Sequence, residues 1–405
     1  MNAHYSFAIV GAGPAGTTCA NALLRGGASS VALIDRARFP RDKICGDGIG
    51  PGVIAILEAL ELGDILKGHA RVGQMAMTSP LGGRMTLNAA EITRASPLGY
   101  VISRTILDHA LLTAALDRGS TDMTGWSLET ATRSGNRWAL TLAETGTGET
   151  QTITADVLIG ADGATSRVRR LLGQRLNHDK HTAIAVRIMA TARSPLPARQ
   201  ELNFVEGVPV PGYGWIFCTG SETVNVGIGC DVPAFKAEKK HLKQILEIYK
   251  AFLPDPLSYD ETTCHSSLLP LASEMPQLAF PAQSAALIGD AASMINPATG
   301  EGIFYGMEAG LQLGRRLAGT KNGAGDIQTA LTAYERQFRR TFSDHFRGNL
   351  ILRNTIQRPQ LMERMVRACA KDSDLCCDYI EYMMGNESGV GSKPLYRLAL
   401  STLVA

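Results

Sequence analysis

Gly11-x-Gly13-x-x-Gly16 is the spacing with the clearest chemistry in this 405-residue chain. It follows an apolar run, Phe7 to Val10, and opens a stretch with Ala15, Cys19, Ala22 and Leu23 at helical spacing, so a strand should turn here into a helix. In such a turn Gly11 permits the tight bend, Gly13 lets a pyrophosphate approach the backbone, and Gly16 lets helix and strand pack closely. The helix start at Pro14 and Ala15 would offer partial positive charge to the phosphates, with free N–H groups from Ala15 onward. A second apolar strand, Val31 to Ile34, ends at Asp35, about 20 residues on, where an acid can accept ribose hydroxyls. Asp35 and the adjoining Arg36 are therefore candidate contacts to a dinucleotide.

Two later segments repeat the strand-to-acid form. Asp156 to Arg169 carries an apolar strand that breaks at Asp162-Gly163 and a helix capped near Ser166. Ala285 to Ala292 breaks at Gly289-Asp290, with Asp290 placed to reach a ribityl or ribose hydroxyl. Taken singly, each is a strand end with an Asx turn, frequent in any α/β protein. Taken with the N-terminal glycines and in this order, the three resemble the flavoprotein hydroxylase superfamily, whose members carry all three around FAD. The resemblance spans residues 8 to 302 and implies FAD as cofactor.

Four finer patterns resemble the geranylgeranyl reductase family within it. Pro40 to Gly48 is similar to its K-x-C-G-G loop, which implies cofactor contacts at Lys43, Cys45, Gly46 and Gly48. Val101 to Asp108 is similar to its R-x-x-x-D segment, in which the arginine, here Arg104, contacts the FAD. Pro211 to Phe217 resembles the Y-x-W-x-F-P strand that walls the substrate cavity. Tyr213, Trp215 and Phe217 alternate and would share one face, as an apolar wall requires. Asn296 to Tyr305 resembles the N-P-x-T-G-E-G-I-x-Y loop beneath the flavin, implying contacts at Pro297, Gly300, Gly302 and Ile303. A helix starting at Ile303 would stabilise negative charge on the reduced flavin. Two positions depart from the pattern: Cys218 replaces its proline, and Asp47 replaces the second glycine of C-G-G.

The resemblance implies an FAD-dependent oxidoreductase that reduces C=C bonds of an isoprenoid or similar apolar substrate by hydride transfer from the reduced flavin. NAD(P)H or a small electron carrier would reduce the FAD. Olefin reduction needs hydride at one carbon and a proton at the other. Cys45 is a candidate proton donor or gate, Glu301 is a candidate catalytic carboxylate that its neighbours place close to the isoalloxazine, and Tyr213 and Trp215 complete the catalytic set. The competing reading is an FAD-dependent monooxygenase hydroxylating an aromatic or natural-product substrate. A halogenase fits less well, because W-x-W-x-I-P is absent.

These motifs require an α/β architecture: a Rossmann-type FAD-binding domain, an inserted mixed β-sheet substrate domain and a helical C-terminal region. We expect the FAD-binding domain over 1–72, 97–180 and 280–325, the substrate domain over 73–96 and 181–279, and the helical region over 326–405. A composition of 45% hydrophobic and 19% charged residues excludes a disordered chain. A net charge of +2 offers nucleic acid no field. The eight cysteines form no CxxC pair, so no metal is expected and a reducing, cytoplasmic location fits best. No apolar stretch reaches the ~20 residues of a spanning helix. The apolar tail, 394–405, is expected to be an amphipathic helix, with peripheral membrane contact left open. Oligomeric state is not legible.

Overall fold

A computed structural model of the chain describes residues 3–92, 98–251, 253, 257–320 and 324–384. The tail at 394–405, expected to be helical, lies outside the described residues.

The chain opens with β1 (His4–Val10), α1 (Pro14–Arg25) and β2 (Val31–Asp35), followed by β3 (Gly48–Ile49), α2 (Pro51–Ala59), β4 (Gln74–Thr78) and β5 (Arg84–Asn88). Next come β6 (Tyr100–Val101), α3 (Arg104–Asp117), β7 (Thr121–Thr124), β8 (Trp126–Ser134), β9 (Arg137–Glu144), β10 (Thr150–Gly160) and α4 (Arg167–Leu171). The middle holds β11 (Thr182–Thr191), β12 (Arg199–Asn203), β13 (Gly212–Cys218), β14 (Thr223–Asp231), α5 (Val232–Ala237), α6 (Leu242–Lys250) and β15 (Ser258–Pro270). The last part carries β16 (Ala279–Phe280), β17 (Ala285–Leu287), α7 (Ile303–Ala318), α8 (Ala324–Ile356), α9 (Pro359–Lys371) and α10 (Ser373–Met384).

The first sheet runs β16-β17-β10-β1-β2-β7, with the β8–β9 hairpin attached to β10. Strands β17, β10, β1, β2 and β7 are mutually parallel. Parallel strands are buried on both faces, which is why Phe7–Val10 and Val31–Ile34 are unbroken apolar runs. Only the second half of β10 was legible as a strand. Its first half pairs antiparallel with β9 and alternates polar and apolar residues. Helix α2 has Pro51 in its first turn, and left-handed Glu61 follows its end. Helix α7 lies against α1 so closely that a Cβ on Gly310 would sit 2.4 Å from the Ala15 carbonyl oxygen.

The second sheet, β15-β11-β14-β13-β12-β4-β5, is antiparallel except between β12 and β4. One face buries Val186, Ile188, Ile216, Val226 and Ile228 beneath α6. The other face turns toward the carboxyl ends of the parallel strands. Helices α9 and α10 roof the β4–β5 edge: Met362, Met365, Val366, Ile380 and Met383 pack with Met77, Met85 and Leu87. Glu363 latches this roof by accepting hydrogen bonds from Ser79 Oγ and the Gly83 amide. Cys369, Cys376 and Cys377 are buried packing residues within it. No helix among the described residues is long and apolar enough to cross a membrane.

Candidate active site

A cavity of about 1010 Å³ lies where the carboxyl ends of β1, β2, β10 and β17 meet the open face of the second sheet. Ligands in open α/β sheets bind beyond the carboxyl ends of the strands. Gly11 makes the turn after β1 at φ +110, and a Cβ there would lie 2.1 Å from the Ala161 carbonyl oxygen. Gly16 does not line the cavity as a cofactor contact should. It packs beneath the turn, where a Cβ would meet the Gly11 carbonyl oxygen at 1.9 Å, so its role is helix–strand packing. Asp35 ends β2 with its carboxylate oxygens accepting from the Ala12 and Ala37 amides, both at 2.9 Å, beside cavity-lining Arg36.

Two helices start at this cavity with no side chain capping them: α1 at Gly13 and α7 at Gly302. Uncapped starts leave backbone N–H groups for a ligand. A Cβ on Gly13 would meet nothing nearer than Arg41 Nη2 at 3.7 Å, and Gly163, at φ +80, faces open space. Those uncapped amides and open glycine faces fit FAD. Pro14, Ala15, Gly13 and Gly163 would hold its nucleotide part, and Pro297, Gly300, Gly302 and Ile303 its flavin edge. Gly289 and Asp290 line the cavity between them. Asp162 departs from a simple ligand role. Its carboxylate accepts from Ser166 Oγ and from the Arg167 and Val168 amides, the amides at 2.6 and 3.0 Å, and so caps α4.

The Pro40–Gly48 loop is stitched to the second sheet. Asp42 takes both of its oxygens to Arg187 Nη2 on β11, each at 2.7 Å. Lys43 reaches Ser267 Oγ on β15 at 3.2 Å. On β14, Asn225 donates to the Cys45 carbonyl at 2.8 Å and to Asp47 Oδ2 at 2.7 Å, while its Oδ1 accepts from Trp215 Nε1 at 2.9 Å. Asp47 sits at φ 64, a conformation that glycine would take without strain. Asn225 thereby ties the Cys45 carbonyl, the Asp47 carboxylate and Trp215 into one bonded unit. Burial pushes its acid up to about 6, against Asn225, Arg187 and Arg104.

Arg104, expected to contact FAD, lines the cavity, but its fork is bidentate on Asp108 at 2.6 and 2.7 Å. Asp108 also takes Arg41 at 3.0 Å, and Arg104 hydrogen-bonds the Cys45 thiol. Arg41, beside Gly13, and Asn225 were not read from the sequence. The signal for Asn225 was a polar residue interrupting the apolar Val224–Ile228 run. Burial raises the Cys45 thiol above its ordinary range, although Arg104 opposes this, so it holds its proton.

Glu301 lies in the loop before α7 and lines the cavity with both carboxylate oxygens buried and without a hydrogen-bond partner. Burial alone pushes its acid up to about 8, so it is neutral at pH 7. Tyr213 donates to the Thr299 carbonyl and fixes this loop against β13. Tyr213, Trp215 and Phe217 all face the cavity, while Ile216 between them and Cys218 just after them face α6. The Phe217 ring lies against the loop, 3.0 Å from where a Cβ on Gly46 or Gly48 would be. Beyond this wall the cavity continues as an apolar arm past Phe204, Leu202, Met75, Met77 and Met85 to Ile380 and Met383 of the roof.

A parallel sheet ending in a dinucleotide turn, two uncapped helix starts and an adjoining apolar arm define a flavoprotein of the oxidoreductase class. Residues 4–346 match the FAD binding domain family. Menaquinone reductase of Mycobacterium tuberculosis is 35% identical over 311 residues, 75% of this chain and 74% of that protein. Digeranylgeranylglycerophospholipid reductase 1 of Methanococcoides burtonii is 28% identical, covering 88% of this chain and 84% of that one. A solved geranylgeranyl bacteriochlorophyll reductase-like protein from Thermoplasma acidophilum superposes with a TM-score of 0.82 at 19% identity, over 98% of this chain and 99% of the other. The chain belongs to the FAD binding domain family and is an FAD-dependent oxidoreductase; its relatives' names fit the geranylgeranyl reductase family that its loops resemble.

Proposed function

We propose that this enzyme saturates C=C bonds along a polyprenyl chain. The observation that carries this reading is the apolar arm, which opens directly off the FAD cleft and is lined by methionine, leucine, isoleucine and aromatic side chains. Flexible, polarizable methionines suit a chain without a fixed shape. Menaquinone and digeranylgeranylglycerophospholipid, the compounds in the relatives' names, differ in head group and share a polyprenyl chain.

FAD, when bound and reduced, supplies the hydride. The residues do the rest: Tyr213, Trp215 and Phe217 hold the alkene in a dry slot, and Glu301 keeps a proton on its carboxyl for the second carbon. Cys45 is the alternative proton holder, and solvent restores whichever proton is lost. NAD(P)H or a small electron carrier serves as reductant in this proposal. A reducing, cytoplasmic setting is part of the same proposal, in keeping with a sequence whose eight cysteines form no CxxC pair.

The test is anaerobic reoxidation of the dithionite-reduced enzyme. A geranylgeranyl compound should restore the oxidised flavin spectrum in step with loss of its double bonds. Oxygen consumption stoichiometric with NAD(P)H, triggered by an aromatic substrate, would replace this reading with the monooxygenase.

A further inference from the structure

The loop before α7 is organised by Asn296, which is fully buried. Its backbone N–H donates to the Glu301 carbonyl at 2.8 Å, and its own carbonyl accepts from the Gly300 amide at 3.0 Å. Its Oδ1 accepts from the Ala298 and Thr299 amides at 2.9 and 3.3 Å. That fixes the orientation of the carboxamide, and Nδ2 leaves the loop to donate to the Tyr305 hydroxyl at 3.0 Å. Tyr305 keeps its own hydroxyl proton for His345 Nε2 of α8, 2.7 Å away and 40 positions along the chain. Burial pushes the His345 imidazole down to about 4, so at pH 7 it is neutral and Nε2 can accept. Asn349, one turn further along α8, donates to the His345 carbonyl at 3.0 Å and lies 3.1 Å from Nε2.

This line of polar groups crosses an aromatic region. Phe304, Phe342 and Phe346 have ring centroids 5.1, 5.5 and 4.9 Å from that of Tyr305, and Tyr382 lies 4.9 Å from His345. Two of its atoms, His345 Nδ1 and Asn349 Oδ1, are buried without a hydrogen-bond partner. Each such atom costs about 1–3 kcal/mol, a loss that apolar side chains of the same shape would avoid. Stability alone therefore does not account for an imidazole at this position, whereas placement of the loop does. From β13, Tyr213 holds one side of the loop by donating to the Thr299 carbonyl. From α8, His345 holds the other through Tyr305 and Asn296. Between the two lie Gly300, Glu301 and the uncapped start of α7, all bordering the cavity. The Glu301 carboxyl has no hydrogen-bond partner of its own, so its place depends on the loop that carries it.

We infer that His345 is a positioning residue for the flavin: through Tyr305 and Asn296 it fixes the loop and the helix start that border the isoalloxazine. It lies on α8, outside the glycine-rich turn and the loops that carry the family resemblance, and it does not line the cavity. The inference needs FAD at this loop and is independent of the polyprenyl reading. A helix start in place stabilises the negative charge of the reduced flavin. Once displaced, it holds the reduced form less tightly relative to the oxidised one.

The experiment measures the two-electron midpoint potential of the bound flavin by spectroelectrochemistry, with no substrate present, in the wild type and four variants. Tyr305→Phe and His345→Leu should each weaken binding of reduced relative to oxidised flavin about tenfold, which is a midpoint about 30 mV more negative. His345→Gln supplies a side-chain oxygen to the Tyr305 hydroxyl and should restore most of the wild-type potential. Tyr382→Phe removes a hydroxyl that donates to the His345 carbonyl, outside the line to the loop, and should leave the potential unchanged. Should His345→Leu fail to retain flavin, Tyr305→Phe, which lacks a single oxygen atom, decides alone. Wild-type potentials in flavin-loaded Tyr305→Phe and His345→Leu overturn the inference. So does a shift in His345→Gln as large as in His345→Leu, which would assign the effect to packing. An equal shift in Tyr382→Phe overturns it too, by showing a general loosening of the helices. Each of these results leaves the polyprenyl reading in place.

Discussion

Glu301 is a carboxyl group that burial keeps protonated near neutrality, with no hydrogen-bond partner for either oxygen. Its folded pKa of about 8 lies above the ordinary carboxyl value of 4.5. A raised acid binds its proton more tightly when folded. The stability it contributes is complete below pH 4.5 and is lost as pH rises through 8. Glu301→Gln should therefore flatten the fall in stability across that window, measured as the unfolding midpoint against pH. If the same proton is the one delivered to substrate, turnover of the wild type should decline above about pH 8. In Glu301→Gln it should fall by about 10²–10⁴-fold, the range of general-acid contributions. A pH profile unchanged by the substitution would transfer the proton to Cys45. Asp47 makes a second residue-scale prediction. Asp47→Gly relieves a left-handed residue but takes one acceptor from the buried Asn225 amide, two effects of opposite sign and each of about 1–3 kcal/mol. Stability should thus change little, whereas KM should rise as Trp215 loses its anchored partner. An unaltered KM would show that the Cys45–Asn225–Trp215 unit does not position the wall.

At the scale of elements, the site depends on how closely α7 can approach α1. Gly310 and Gly314 on α7 face Ala15, Cys19 and Ala22 on α1, and a Cβ at Gly314 would lie 2.7 Å from the Cys19 carbonyl oxygen. Both helices end in the cavity with bare N–H groups, so their spacing sets where the cofactor's two charged regions can sit. Gly310→Ala should cost about 1–3 kcal/mol through overpacking and lower flavin retention on gel filtration. Full flavin occupancy at unchanged thermal stability would contradict this. The glycine turn, Asp35, Gly289-Asp290 and the N-P-A-T-G-E-G loop were legible because each is a contiguous stretch whose residue types dictate one local backbone. The parts that were not legible are joined through space. Asn225 meets Asp47 across 178 positions, and Arg41 reaches Asp108 of α3 from the Pro40–Gly48 loop. Local spacing assigned Gly16 to packing helix on strand, as the structure has it, but did not show that Gly11 bends against the Ala161 carbonyl. Nor could it show that the Asp162 carboxylate caps α4.

For the whole molecule, the decisive feature is that two sheets of different construction share one cavity. The parallel sheet presents strand ends and amides, and the antiparallel one presents a wall of alternating aromatics. The C-terminal helices convert that wall into an enclosed arm, and their contribution was the least readable. The sequence indicates helices after Glu301, but not that Ile380 and Met383 come to lie over Met77 and Met85. The order of segments follows from this: the β-rich insertion between β10 and β17 has to fold back over the strand ends, and the last helices close it. Whether this shared cavity saturates a polyprenyl chain is decided by the mass of a geranylgeranyl ketone after anaerobic turnover with the reduced enzyme. The product should be heavier by one H2 for each bond saturated, with the oxygen count unchanged. Recovery of the ketone at its starting mass, or of a product that has gained oxygen, would contradict it.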